Sequence, residues 1–471
     1  MSPPPTQWTI ADTVARVQGG ETTASAIVDA HLARIGERGH LNAFIRVMGD
    51  EARAQAEAIE RKRREGKSLG PLAGVPVAIK DNILVPGVPC TCASKILAGW
   101  VPPYQATVVE RLRAADAVII GKTNLDEFAM GSSTENSCFG PSLNPHDPSC
   151  VAGGSSGGSA VAVADWQAMG SLGSDTGGSI RTPAAFCGVA GMKCTYGSVS
   201  RWGLVAFASS LDQIGPFGRT VADARAVFDV MKGHDPYDST SMRLPAGRPI
   251  PKSLTIGIPR EYYGEGLDPE IDAAIHEARK KLEGAGHRFV DVSLPHSKYA
   301  IAVYYVICTA EASSNLARYD GVKYGHRTTK ADDLLTMYCR TRDEGFGNEV
   351  KRRILLGTYV LSAGYFDAYY GTAQKVRALM AQDFVEVFNT CDCLLTPTSP
   401  TCAFKVGEKA EDPLAMYLSD IYTTSVNLAG LPAISVPCGK SKAGLPIGAQ
   451  LIGRAFEEHL ITGVGELIEH L

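Results

Sequence analysis

The chain has 471 residues, 45% hydrophobic and 20% charged, a balance that suits a globular chain with a large buried core. Lys and Arg number 46 against 50 Asp and Glu, so the net charge of −4 supplies no overall field for nucleic acid or an anionic membrane. No apolar run approaches the ~20 residues of a membrane span, and no membrane contact is predicted. The start, Met1-Ser2-Pro3-Pro4-Pro5, lacks the basic end and apolar core of a secretory signal. The 12 cysteines form no CxxC pair. Cys90 with Cys92, and Cys391 with Cys393, read as buried thiols, so no metal site is predicted and a reducing cytoplasmic setting is expected.

Residues 1–70 read as a helical layer. Thr22 or Thr23 can cap a helix whose apolar face carries Ile27, Val28, Leu32 and Ile35, and Asp50 can cap a charged helix ending at Arg64. From residue 71 to 220 short apolar strands alternate with helices: a strand at Val75–Ile79, a helix at Val108–Arg113, a strand at Ala117–Ile120. Residues 232–252, rich in Pro, Asp and Ser, read as a loop-like excursion. Beyond it, in 253–471, Leu254–Ile258 is a strand. Asp268 and Pro269 open a helix with Ile271, Ala274, Ile275, Ala278 and Leu282 on one face, closed by Gly284 and Gly286. Phe289–Val292 is the next strand. This rhythm predicts one α/β domain over 1–471, with a large, mixed, mostly parallel twisted sheet covered by helices on both faces.

Two glycine–serine segments stand out, Gly153–Ser159 and Asp175–Ser179. Such a run is often a linker, but the first leads directly into Ala160-Val161-Ala162-Val163-Ala164, which suits backbone packed at a helix start. Gly154-Ser155-Ser156-Gly157-Gly158 also fits GxSxG, which would make Ser156 a nucleophile. That motif needs a strand before it and a catalytic histidine. Pro145–Ser149 is a poor strand, and the downstream histidines stand in charged or loop-like contexts. Ser179 has the better setting: the backbone N–H groups of Thr176, Gly177, Gly178 and Ser179 can converge on one oxygen, and Ile180–Phe186 reads as a helical turn behind them. Lys80 follows five uncharged residues. It is either a solvated strand end or a buried lysine whose lowered pKa makes it a base.

Three stretches, GVPVAIKDN (74–82), GGSSGGSA (153–160) and LGSDTGGSIRTPAAFCGVAGMK (172–193), resemble the amidase signature family over nearly the whole chain. The resemblance implies a Ser–cis-Ser–Lys triad: Ser179 the nucleophile, Ser155 the bridging serine with a cis peptide, Lys80 the base. It also implies an oxyanion hole at Thr176–Ser179, an acyl-enzyme and release of ammonia from a carboxamide. DPYDSTS (235–241), EASSNLARYDG (311–321), EVKRRILLGTYVLSAGYFDAYY (349–370) and TTSVNLAGLPAISVPCG (423–439) resemble the family's tRNA-dependent amidotransferase branch. That branch implies glutamine as substrate, with Arg353 for its carboxylate, Asp420 for its ammonium, Tyr304 nearby, and Gly131 and Ser132 in the pocket. It implies B and C partner subunits in a heterotrimer, tRNA held mainly by the partner, and ATP and Mg used there, with no cofactor in this chain. A stand-alone amidase for a small carboxamide is the alternative. Lys351-Arg352-Arg353 taken alone reads as a solvated helix face. Cys194, Asp165-Trp166-Gln167 and Ser132 depart from the family's usual residues, and none lies in the triad.

Overall fold

The apolar runs pair into one sheet of eleven strands among residues 3–470, the residues described by this computed structural model. In chain order they are β1 Phe44–Val47, β2 Pro76–Lys80, β3 Val118–Thr123, β4 Gly170–Asp175, β5 Ala190–Lys193, β6 Gln213–Gly218, β7 Thr255–Pro259, β8 Arg288–Val292, β9 Cys393–Pro397, β10 Ala433–Lys440 and β11 Pro446–Gly453. Across the sheet the order is β1-β3-β2-β4-β6-β5-β10-β11-β9-β7-β8.

The α/β class, the mixed sheet and its helices on both faces are as expected. Gly448 of β11 abuts Ala185 of helix Arg181–Cys187, while Val436 of β10 meets Gly465 of helix Glu458–His470. Val436 pairs with Ala449, the neighbour of Gly448, so these two helices lie on opposite faces. The expected parallel majority does not hold. Parallel ladders form the two wings, β3–β2–β4 and β9–β7–β8. The middle, β4–β6–β5–β10–β11–β9, is antiparallel, as is β1 on β3. The wings are the βαβ units that the sequence announces. The middle strands GSLGSD, AGMK and QIGPFG carry little apolar pattern, and β10 and β11 return as a hairpin.

The first helices run Ile10–Gly19, Ala24–Glu37 and Gly49–Arg64. Thr23, not Thr22, caps the second by accepting from Ala26 N at 3.1 Å. Asp50 does not cap the third; it stands inside the first turn, where its charge favours the helix dipole. Edge strand β1 interrupts this layer. In the β7–β8 wing Asp268 caps Pro269–Gly284 and receives Glu270 N at 2.8 Å. Residues 233–252 hold no helix or strand. Two of the departures have structural work. Asp165 receives Arg34 at 2.8 Å and Arg38 at 3.1 Å, tying an N-terminal helix to the core. The Cys194 carbonyl receives buried Lys193 at 2.8 Å. No helix among the described residues is long and apolar enough to cross a membrane.

Candidate active site

Lys80 closes β2 and is wholly buried. Its Nζ lies 2.8 Å from Ser155 Oγ, 2.8 Å from Ser156 Oγ, 2.9 Å from Ser174 Oγ and 3.3 Å from the Ser174 carbonyl. Among the described residues no carboxylate is in contact with it. Burial lowers its pKa from 10.5 to about 7, against the pull of Asp126, Asp175 and Asp212. An amine so placed is available as a proton acceptor near neutral pH. Ser156 is a strut rather than an elbow nucleophile: its hydroxyl donates to Ser174 O at 3.1 Å and accepts from Ser174 N at 3.3 Å. No strand precedes it, and helix Gly157–Ala164 follows it, so the first segment is no linker.

Ser156 N donates to Ser179 O at 3.2 Å, which stitches the two glycine–serine segments together. The Gly154–Ser155 peptide is cis, as the resemblance implies. Ser179 is 6% exposed. Among the described residues its hydroxyl has no hydrogen-bond partner, so the expected Ser155–Ser179 link is not made here. Catalytic contacts of this kind often tighten only in the substrate complex. The N–H groups of Thr176, Gly177, Gly178 and Ser179 likewise donate to no described protein acceptor, which leaves them available to an oxyanion. Glycine is required here by space and by backbone angle. A Cβ on Gly177 would stand 2.6 Å from Tyr304 Cζ, and one on Gly178, at φ +149°, would stand 2.3 Å from Thr423 Oγ1.

Around this turn, Asp175 receives Arg181 through Nε and Nη2, both at 3.1 Å, and Asn427 Nδ2 at 2.8 Å. Burial alone would raise Asp175, but Arg181 outweighs it and holds the carboxyl down at about 2. Asp212 receives Thr176 Oγ1 at 2.7 Å and Phe207 N at 2.8 Å. Burial pushes Asp212 and Asp126 up to about 6 each.

Arg353 does not lie on a solvated face. It is buried on helix Asn348–Val360, its Nε 2.7 Å from Glu349 Oε1, its guanidinium over Tyr305, Tyr417 and Phe207 at 5.2, 5.5 and 5.6 Å. Its Nη groups meet no described acceptor. With Gly131, Ser133, Lys409 and Tyr417, Arg353 lines a cavity of about 240 Å³. Asp420 is buried and pushed up to about 6, and it receives Ser132 Oγ at 2.6 Å and Thr182 Oγ1 at 2.7 Å. A Cβ on Gly178 would lie 2.8 Å from Asp420 Oδ1, so this carboxyl adjoins the Ser179 turn. Tyr304 touches that turn at Gly177, while its neighbour Tyr305 stacks at 3.8 Å on Tyr417 beside Arg353.

The sequence profile of the amidase family matches residues 26–462. The chain belongs to the amidase family. Relatives carry a more specific name. The A subunit of glutamyl-tRNA(Gln) amidotransferase from Koribacter versatilis (strain Ellin345) is 55% identical over 470 residues, covering 98% of each chain. The protein of the same name from Moorella thermoacetica is 57% identical over 444 residues, covering 93% of this chain and 90% of its own. The crystal structure of the same A subunit from Thermotoga maritima matches with a TM-score of 0.81 at 42% identity, covering 100% of this chain and 96% of that one.

Sequence reasoning missed several residues that hold this amidase site together. Ser174 and Asn82 form one side of the Lys80 nest, with Asn82 2.9 Å from Ser174 Oγ. Asp126, Asp212 and Thr423 brace the backbone around the serines. The available signal was polar residues inside otherwise buried strands: Ser174 in β4, and Asn82 just past the end of β2.

Proposed function

We propose that this amidase is the glutaminase subunit of a tRNA-dependent amidotransferase. The observation that carries the reading is the Lys80 nest: a buried lysine with no carboxylate in contact, ringed by serine hydroxyls and beside a serine whose backbone neighbours offer unused N–H groups. A histidine-free base and an oxyanion site are thereby in one place.

In this reading glutamine lies with its carboxylate on the Arg353 Nη groups and its ammonium on Asp420. Tyr304, Gly131 and Ser132 shape the pocket between them. Ser179 Oγ attacks the carboxamide carbon as its proton passes to Ser155 Oγ, and the Ser155 proton passes to neutral Lys80. The carbonyl oxygen becomes an oxyanion held by the N–H groups of Thr176–Ser179. The tetrahedral intermediate collapses, the C–N bond breaks, and the proton returns through Ser155 to the leaving nitrogen as ammonia departs. Water, activated along the same route, then hydrolyses the γ-glutamyl ester of Ser179 to glutamate.

The relatives' names support the rest. Ammonia passes to a B subunit, which with ATP and Mg amidates activated Glu-tRNA(Gln) or Asp-tRNA(Asn), with a small C subunit completing the heterotrimer in the cytoplasm. The chain itself needs no metal or cofactor for its step, and tRNA is held mainly by the partner. The test is intact-mass and peptide mapping of the chain quenched during glutamine turnover. A γ-glutamyl adduct on Ser179 is expected, absent in Ser179→Ala. An adduct on Ser156, or turnover by Ser179→Ala, would contradict the assignment. Co-purification from the native host separates a complexed subunit from a stand-alone amidase.

A further inference from the structure

We propose that Asn82 is a positioning residue that aims the lone pair of Lys80 at Ser155, and that it does so by presenting its carbonyl oxygen to the Ser174 hydroxyl. The inference rests on the reading of Lys80 as the base.

A neutral lysine amine has two N–H bonds and one lone pair, and the relay works only if that lone pair faces Ser155. Three hydroxyls surround Nζ at 2.8–2.9 Å. Ser156 directs its own proton to the Ser174 carbonyl, so towards Lys80 it is an acceptor. Ser174 is the neighbour that decides the arrangement, because its Oγ lies 2.9 Å from Lys80 Nζ and 2.9 Å from the Asn82 side-chain amide.

Consider the amide with its nitrogen towards Ser174. Ser174 Oγ then receives a proton from Asn82, and the one acceptor left in contact for its own proton is the Lys80 lone pair. That pulls the lone pair away from Ser155. The same orientation leaves Asn82 Oδ1 buried with no donor.

Turning the amide over removes both faults. Oδ1 accepts the Ser174 proton, and Ser174 Oγ accepts one Lys80 N–H. Ser156 accepts the other, and the remaining lone pair faces Ser155. After Lys80 takes the proton, its three N–H bonds find three acceptors, with Asn82 unmoved. The oxygen and nitrogen of an amide are told apart only by the network they join, and this network calls for the oxygen.

The test is glutaminase kinetics on the full chain across pH 6.5–9.5 for Asn82→Ala, Asn82→Asp, Ser174→Ala, Asn82→Ala/Ser174→Ala and Lys80→Met. An ionised Asp can accept but cannot donate, so it separates the two orientations. Its charge also raises the Lys80 pKa and moves the acid limb of kcat upward. The other groups whose charge reaches Lys80 are Asp126, Asp175, Asp212 and Cys92. At pH 8 and above the three carboxyls are ionised and the Cys92 thiol, pushed well up by burial, is not.

Asn82→Ala is expected to lower kcat about 30-fold with KM within about twofold, a fraction of what positioned proton transfer contributes. Asn82→Asp should match that loss at pH 7 and return to within about threefold of wild type at pH 9.5. In the Ser174→Ala background, Asn82→Ala should cost less than about twofold, because its effect runs through Ser174. An Asn82→Asp enzyme as slow as Asn82→Ala at pH 9.5 would overturn the proposal. If that variant fails to fold, equal losses from Asn82→Ala in both backgrounds would overturn it instead. Activity retained in Lys80→Met would sink the base reading itself; an inactive Lys80→Met with no recovery in Asn82→Asp sinks only the role of Asn82.

Discussion

Lys80 and Lys122 stand on adjacent strands, one register position apart, both with no exposed surface. They end in opposite states. Lys122 Nζ lies 2.7 Å from Asp81 Oδ1 in a close ion pair, and although burial works against its charge, Asp81 outweighs burial and raises its pKa. Lys80 has hydroxyls in place of a carboxylate, and its pKa falls to about 7. Burial alone therefore does not make a base. What separates the two is whether an anion is in contact, and the chain places Asp81, the residue after Lys80, towards the other lysine.

The comparison breaks first at catalysis. Lys80→Met should reduce glutamine turnover about 10³-fold or more, because no other proton acceptor serves the Ser155–Ser179 pair. Its melting temperature should stay near that of the parent, since a desolvated amine is replaced by a thioether of similar volume. Lys122→Met should do the reverse. It leaves Asp81 buried without its cation and should cost about 3–5 kcal/mol in denaturant unfolding, with kcat of the folded enzyme little changed.

A third buried cation extends the contrast. Arg353 keeps its charge beside Glu349 and has unused Nη donors. Arg353→Ala should raise KM for glutamine on the order of 100-fold, the loss of a buried charge-assisted contact, while KM for an uncharged amide moves only a few-fold. Asp420 supplies the other half of that clamp. With its pKa raised from 3.8 to about 6, it is ionised above pH 6 and protonated below. KM for glutamine should therefore climb by about tenfold per pH unit below 6, again with no such climb for a neutral amide.

The smallest effect is on stability against pH. Between pH 7 and 10.5 the unfolded chain holds a proton on Lys80 that the folded chain lacks, so Lys80 makes stability rise with pH across that window. Lys122 has its folded pKa raised above 10.5, so its contribution is intact below that value and is lost as pH rises through the folded pKa. Subtracting the unfolding curves of the two Met variants from the parent should give slopes of opposite sign.

Much of the wings was legible in the sequence, because Ile256, Ile271, Ile275, Leu282 and Phe289 follow helical and strand periods between clear caps. The middle was not. Strands such as Gly170–Asp175 are built from glycine and serine because the catalytic loops press on them, and that removes the apolar alternation a strand is recognised by. Edge strand β1 hid for a simpler reason: four residues between two helices make little pattern. Within the site, Lys80, Ser155 and Ser179 stand in dense motifs, and the resemblance assigned their roles. Asn82, Ser174 and Asp212 are single polar residues whose meaning lies in contacts 36 to 92 positions away. The relay's second link, Ser155 to Ser179, was expected and is not a hydrogen bond here.

The most direct test of the account is a pH titration of the ε-carbon NMR signals in protein labelled with ε-¹³C lysine, assigned with Lys80→Met and Lys122→Met. The account predicts one buried lysine titrating near pH 7, lost in Lys80→Met, and a second, lost in Lys122→Met, that stays charged beyond pH 10. A Lys80 signal that titrates above pH 9 would contradict it.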